Sequence, residues 1–389
     1  MENNISSLVS AIALNDIFGN NPKFSHNLLD ALGSAEAVFR LSERERLELF
    51  GPFNSGADRI GPAALEAARK QYEQLSARGV QFLSIFDEGY PALLRECPDA
   101  PLLLYVRSTT PAAELFAGRP AVSIVGTRDQ TLYGQECCQR IVRALSEAPA
   151  HPTIVSGLAL GVDITAQSAA LSFDLPTIGV SPVGVEEVYP RRHTAFVNRM
   201  CATPGCALVT DYPPGTAPIA ANFLRRNRII AGLGGATILV ESRARGGGMI
   251  TARLAAGYGR DVFAVPGRID DPRSQGCNLL IKDQTATPIA SPETLPVALG
   301  LGRLSRRRGA DLETAVRARF SSALPAEEVE RLVRLADLIR TRRGLCFDEL
   351  CREADLSYAD ISRAAGLLEE EGFICIDLLQ RCTINVKNA

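Results

Sequence analysis

The chain has 389 residues, a formal net charge of −2, and 46% hydrophobic against 22% charged residues. That length suggests two or three domains with ample core, and the charge balance confines any nucleic-acid site to a local patch. No apolar run approaches the ~20 residues of a membrane helix, and the start lacks the basic region and long apolar core of a signal peptide, so a cytoplasmic protein with no membrane partner is expected.

Ten cysteines include the Cys137–Cys138 pair and two Cys-x4-Cys spacings, Cys201/Cys206 and Cys346/Cys351. None forms Cys-x2-Cys, and only His26, His151 and His193 could add imidazole ligands. Reduced buried thiols and no metal are the expectation.

Residues 1–105 read as a small helical domain. Helix-period segments run over Leu8–Ile17, Asn27–Leu32, Ala35–Phe39, Ser42–Phe50 and Ala63–Ala77, followed by a strand-like Gln81–Phe86. Tyr90-Pro91 and Pro98 to Pro101 punctuate the exit. There is no convincing Gly-x-Gly hairpin of the helix–hairpin–helix kind, so packing or partner docking is the expected role. The Glu/Arg alternation of Ser42–Glu48 reads as a solvated helix face.

Residues 106–290 alternate apolar strands with helical or Gly/Pro-rich segments. The strands are Ala121–Val125, Thr153–Ser156, Thr177–Ser181, Ala207–Thr210, Ala236–Glu241 and Asp261–Gly267, with a helix-like Ile164–Leu171 among the intervening segments. Continuous apolar runs indicate strands covered on both faces, and alternation with helices indicates a parallel sheet. The fold expected is α/β, a doubly wound parallel sheet of extended Rossmann type. Ligands of such sheets sit beyond the carboxyl ends of the strands, where Gly126, Ser156, Gly157 and Gly267 fall. Glycine there lets the backbone approach a phosphate, and amides at a helix start can cradle an anion.

The segment Asn222–Gly232 places Phe223, Arg225, Arg226 and Arg228 within six positions. Arginine supplies permanent charge and a planar fork for phosphate oxygens, and a phenylalanine face can stack on a base. The competing reading is a helix start whose arginines are solvated or paired with acids. Arg128, Arg225, Arg226 and Arg228 are the candidates to neutralise phosphates. Gly126, Thr127, Ser156, Gly157 and Gly247 are candidate backbone or hydroxyl donors, and Phe223 is the candidate stacking ring. Asn227 either orients the arginines or has a structural role.

Residues 291–325 lose periodicity and carry Arg303, Arg306, Arg307 and Arg308, which reads as a flexible basic linker. Residues 326–389 give helices at Glu327–Arg342, Phe347–Ala354 and Ala359–Glu370, then a strand-like Gly372–Asp377. Helix–turn–helix followed by a β-ribbon resembles a winged helix. Its presumed recognition helix carries Asp360, Glu369, Glu370 and Glu371 against Arg363, which favours protein interaction over DNA reading.

The ordered motifs carry a specific resemblance. Ile124-Val-Gly-Thr-Arg128 with Tyr133-Gly134, Ser156-Gly-Leu-Ala-x-Gly161-x-Asp163, Val188-Tyr-Pro190 and Asp211-Tyr-Pro-Pro-Gly-Thr216 come first. Phe223-x-Arg-Arg-Asn-Arg-Ile-Ile-Ala-Gly232, Thr251-Ala252, Gly259-Arg-x-Val-Phe-Ala-Val-Pro-Gly267 and Gly276-Cys-Asn-x-Leu-Ile281 follow. Over about 160 residues the chain resembles the DNA-processing protein A (DprA, also called Smf) family. The resemblance implies a single-stranded DNA-binding protein that protects incoming DNA and loads the RecA recombinase during natural transformation. It also implies a homodimer formed through the Rossmann domain and no enzymatic chemistry or cofactor. Several positions depart from the family. Leu160 stands for the usual Arg, Gln167 for His, Gly246-Gly247-Gly248 for Ser-Gly-Ser, and Leu224 for a common Pro, while Ala217–Asn222 holds no Lys. These changes imply fewer donors to DNA, and Arg243 and Arg245 are candidates to offset the loss.

The alternative reading is a nucleotide-binding Rossmann enzyme of the phosphoribohydrolase kind, with Arg245-Gly-Gly-Gly248, Gly232-Leu-Gly-Gly235 and Glu241 as its best elements. The required Arg-to-Glu spacing is missing, as is a Gly-x-Gly-x-x-Gly after the first strand.

Overall fold

The computed structural model describes residues 2–51, 56–302, 307–342, 345–376 and 380–384; the side chains of residues 2–4, 307–311, 375 and 383–384 are also outside the description. Two compact units emerge, residues 1–304 and residues 305–389.

The first unit begins with α1 (Glu2–Phe18), α2 (Pro22–Leu32), α3 (Ala35–Arg40), α4 (Glu43–Phe50) and α5 (Pro62–Ser76). Their ends are written in the sequence. The Asn21 side chain accepts from the Phe24 amide ahead of α2, Gly33 closes that helix in the left-handed region, and Ser42 with Glu45 forms a capping box on α4. Arg44 and Glu48 pair on the solvent side of α4. α1 is apolar on two sides. Ala11, Leu14 and Phe18 pack with Leu28, Leu29 and Val38 of the neighbouring helices, while Val9, Ile12 and Ala13 pack on Tyr105 and Leu208 of the sheet.

After α5 come β1 (Val80–Ser84), α6 (Ala92–Arg95), β2 (Leu103–Arg107) and α7 (Ala112–Leu115). β1 pairs antiparallel with β2, and β2 pairs antiparallel with a strand of the main sheet. The boundary expected at residue 105 thus falls inside a strand of one continuous sheet. Leu103–Val106 is a buried apolar run, and the prolines before it made it read as an exit.

The remaining strands are β3 (Ala121–Val125), β4 (Thr153–Ser156), β5 (Thr177–Val180), β6 (Ala207–Thr210), β7 (Ala236–Leu239), β8 (Asp261–Ala264) and β9 (Thr287–Pro288). Between and after them run α8 (Leu132–Ser146), α9 (Val162–Ser172), α10 (Thr194–Ala202), α11 (Ala220–Leu233), α12 (Gly247–Gly257), α13 (Gln275–Lys282) and α14 (Leu295–Ala298). The nine-stranded order is β1-β2-β6-β5-β4-β3-β7-β8-β9, parallel from β6 to β9. Separate apolar layers cover the two faces. α11 and α12 supply Ile229, Ile230 and Met249 to one, and α8 and α9 supply Ile141, Leu145 and Ala166 to the other. The expected doubly wound α/β fold is therefore the observed one. From β3 the chain steps outward through β4, β5 and β6, then returns to place β7 on the opposite side of β3. That reversal opens a crevice at the carboxyl ends of β3, β4 and β7, the usual ligand position in such sheets.

The second unit holds α15 (Arg307–Phe320), α16 (Ala326–Thr341), α17 (Phe347–Ala354), α18 (Tyr358–Glu370) and the antiparallel ribbon β10 (Ile374–Ile376) and β11 (Cys382–Ile384). Leu312, Val316 and Phe320 of α15 pack with Leu332, Leu335, Ile339 and Leu368. This corrects the expectation of a flexible basic linker over residues 291–325, because Leu312, Val316 and Phe320 recur at helical spacing and bury one face. Arg303 and Arg306 lie outside the described residues, as do the side chains of Arg307 and Arg308.

Candidate nucleic-acid interface

At the crevice the chain closes backbone against backbone. A Cβ on Gly126 would lie 2.5 Å from Val162 and 2.9 Å from the Glu241 carbonyl, and one on Gly248 would lie 3.2 Å from the Gly126 Cα. These two glycines let the loop after β3 meet the start of α12. Gly247 faces open space instead. The result is an open cleft of about 350 Å³ between the loop Gly126–Arg128, α11, and the loop Arg243–Gly248. At the start of α12 the Gly246 and Met249 amides are bonded to the Arg243 and Gly246 carbonyls. Those of Gly247 and Gly248 belong to the first turn, where helix geometry offers no intrahelical acceptor, and the positive dipole end lies at this cleft, an arrangement suited to an anion.

The helical phase of α11 divides the arginine cluster. Phe223, Arg226 and Asn227, spaced three and four apart, turn toward the cleft and line it. Arg225 and Arg228, three apart, turn away from it. Exposed Arg225 donates to the Asn20 side chain at 2.9 Å. Arg228 is buried and pairs with buried Asp211, and also donates to the Asp99 carbonyl. Burial pushes the Asp211 carboxyl up, opposed chiefly by Arg228.

Arg226 forms the floor. It is 3% exposed and donates to the Gly157 carbonyl at 2.6 Å and to the Val180 carbonyl. Burial lowers its pKa to about 10, with Asp163 pulling the other way. Burial likewise raises Asp163, opposed by Arg226 and then by the Ala159 and Gly157 amides. A Cβ on Gly157 would lie 2.6 Å from the Arg226 guanidinium and 2.7 Å from the Asp163 carboxylate, so only glycine fits between the two charges. The next residue, Leu158, has φ 59°. Its amide donates to Gln167 at 3.2 Å and its carbonyl accepts from His193 at 2.9 Å. Ser156 donates its hydroxyl to the Ile124 carbonyl at 2.6 Å. The donors of Ser156 and Gly157, expected to face a ligand, are thus bonded within the protein. Gln167, a departure from the resembled pattern, holds the loop.

At the mouth, the guanidinium of exposed Arg128 lies 5.1 Å above the Phe223 ring, and the Tyr189 ring meets Phe223 edge to face at 5.1 Å. Thr127 is anchored through its amide to the Glu241 carbonyl at 2.7 Å. The structure therefore brings together Gly126, Thr127, Arg128, Phe223, Arg226, Asn227 and Gly247. It sets Arg225, Arg228, Ser156 and Gly157 apart from the cleft lining. Arg243 and Asp163 also line the cleft, and Tyr189 adjoins it. In the sequence Arg243 stands out only as a substitute donor and Tyr189 only as part of a motif. No group of three or more His, Cys, Asp or Glu among the described residues could hold a metal. No described helix is long and apolar enough to cross a membrane.

An open, mainly parallel sheet with a cleft at its switch point, lined by glycine loops and rimmed by arginine and aromatic side chains, defines a Rossmann-like protein. Residues 81–299 match the model of the DNA recombination-mediator protein A family. Protein Smf of Synechocystis sp. is 31% identical over 317 residues, covering 77% of this chain and 78% of the relative. Protein Smf of Escherichia coli is 38% identical over 215 residues, about half of each chain at 55%. Among solved structures, DNA processing protein A from Streptococcus pneumoniae is 34% identical with a TM-score of 0.52, over 62% of this chain and 84% of that one. The Helicobacter pylori protein, whose structure concerns its single-stranded DNA binding mode, is 29% identical with a TM-score of 0.50, over 57% and 95%. The chain belongs to the DNA recombination-mediator protein A family.

Proposed function

We propose that this protein binds single-stranded DNA in the switch-point cleft without sequence preference, protects incoming strands, and passes them to the RecA recombinase during natural transformation. The observation that carries the reading is the pairing of Arg128 with Phe223 at the mouth of a glycine-lined cleft. A planar cation lying over a ring offers a fork to a phosphate and a flat stack that a base can join. The start of α12 adds amide donors, and Arg243 and Arg245 are exposed beside it. The solved Helicobacter pylori relative, described for binding single-stranded DNA, supports the same reading. A homodimer through the Rossmann unit and delivery to RecA are proposed from family membership.

A non-enzymatic role fits Glu241, the strongest catalytic candidate of the alternative reading. It is 2% exposed and accepts from the Thr131 amide at 2.9 Å and the Thr131 hydroxyl at 2.5 Å. A carboxylate held in this way closes the fold at the start of α8 and is poorly placed to attack a substrate. The test is a thermal-shift panel paired with fluorescence anisotropy. Stabilisation and binding by oligo-dT, with little response to nucleotides or blunt duplex, is expected. Stabilisation by nucleotides alone would transfer the cleft to the enzyme reading.

A further inference from the structure

Phe223 offers only part of its ring to a base. It is partly buried, the Arg128 guanidinium covers its ring, and Tyr189 packs against it. The open aromatic face at the cleft mouth belongs to Tyr189, which is 39% exposed, and no described cation lies over its ring. Two and three residues further on, Arg191 and Arg192 are exposed and have no ion-pair partner among the described residues. Of the acids before them, Glu186 is paired with Arg78, leaving Glu187 against two arginines. The segment leaves the cleft as ring, proline, cation, cation. The Arg191 carbonyl accepts from the Thr194 hydroxyl at 2.6 Å, while the side chains of Arg191 and Arg192 remain exposed.

We propose that Tyr189, Arg191 and Arg192 form a second nucleotide position, adjoining the one at Phe223 and Arg128, in which a base stacks on Tyr189 and the arginines take the flanking phosphates. This deepens the single-strand reading and rests on it. Stacking on a tyrosine is sequence-tolerant because every base has a π-face, and arginine is suited to phosphate through its planar fork. The strand would then cross from α11 toward α10, away from the start of α12.

The protein contains no tryptophan, so Tyr189→Trp creates a single reporter at the proposed position. Titrating the full chain carrying Tyr189→Trp with labelled oligo-dT reads two signals: anisotropy of the label and tryptophan emission. Emission quenched in step with the anisotropy rise is expected. Normal anisotropy with unchanged emission would overturn the second position while leaving single-strand binding intact. No anisotropy change in the wild-type chain would instead remove the reading on which it rests. A second variant avoids dependence on the ring. Arg191→Ala with Arg192→Ala should make the log–log salt dependence shallower by about 1.4, at ~0.7 per phosphate, and an unchanged slope would overturn the phosphate role.

Discussion

Arg226 donates to the carbonyl of Gly157 at 2.6 Å, so a residue that reads as a phosphate ligand in the sequence is the floor of the cleft. Its removal would leave Asp163 buried without its main compensating charge. Arg226→Ala is expected to cost about 3–5 kcal/mol of stability, the scale for breaking a buried charge pair. Arg226→Lys should restore little, because one ammonium cannot replace a fork reaching both Gly157 and Val180. Chemical denaturation of the two variants checks this; wild-type stability with weakened DNA binding would return Arg226 to direct contact.

Arg228 and Asp211 make the same point on the other side of α11. Asn15 of α1 donates to the Asp211 carbonyl at 2.9 Å, so the pair also ties the N-terminal helices to the sheet. Arg228→Ala should likewise cost about 3–5 kcal/mol. Limited proteolysis should then cut first within residues 1–76. A variant that resists cleavage there while binding less DNA would count against this structural role.

Much of the architecture is legible in the sequence. Strands β3 to β8 announce themselves as apolar runs because both faces are covered, and the helix caps at Asn21 and Ser42 are local chemistry. β2 was hidden by flanking prolines, and β9 is only two residues long. α15 was hidden because its arginines mask Leu312, Val316 and Phe320. The site was half legible. Residue types identified Arg128, Phe223 and the glycines, but the partners that claim Arg226 and Arg228 lie at Gly157 and Asp211, reached only through the fold. The helical phase of α11 was available and would have separated Arg225 and Arg228 from Phe223 and Arg226.

Phe223 packs against Tyr189 and under Arg128 and is partly buried. Phe223→Ala should weaken single-strand binding by about 1–3 kcal/mol and lower stability by less than the ~3–5 kcal/mol of a fully buried ring. Melting and anisotropy on the same preparation separate the two effects. Full affinity with a large stability loss would assign the ring to the core.

Asp16 supplies a pH dependence unrelated to DNA. Burial raises its carboxyl from the ordinary value of 3.8 to about 6, with Gln71 and Arg59 only partly opposing. The folded state thus prefers the protonated form. The associated stability is complete below the unfolded pKa and is lost as pH rises through about 6. Unfolding free energy should fall by about 1–2 kcal/mol from this group between pH 5 and 8. Asp16→Asn should remove that decline, and parallel pH profiles for the two proteins would refute it.

Two of the acids at the end of α18 are occupied within their own unit. Glu371 pairs with Arg319, Arg363 pairs with Glu328, and Glu369 accepts from the Ile376 amide at 2.8 Å. Asp360 and Glu370 remain exposed, so this helix repels phosphates. Deleting residues 305–389 should change single-strand affinity by less than about threefold, under ~0.7 kcal/mol. A tenfold loss in a truncation that still melts cooperatively would make the second unit a DNA contact.

The most direct measurement compares wild type with Arg128→Ala by anisotropy on oligo-dT across a salt series. Wild type should show a log–log slope of roughly −2 to −4. Arg128→Ala should be shallower by about 0.7, with an unchanged melting temperature. Equal affinity for blunt duplex, or an affinity that neither salt nor Arg128→Ala alters, would contradict electrostatic single-strand binding in this cleft.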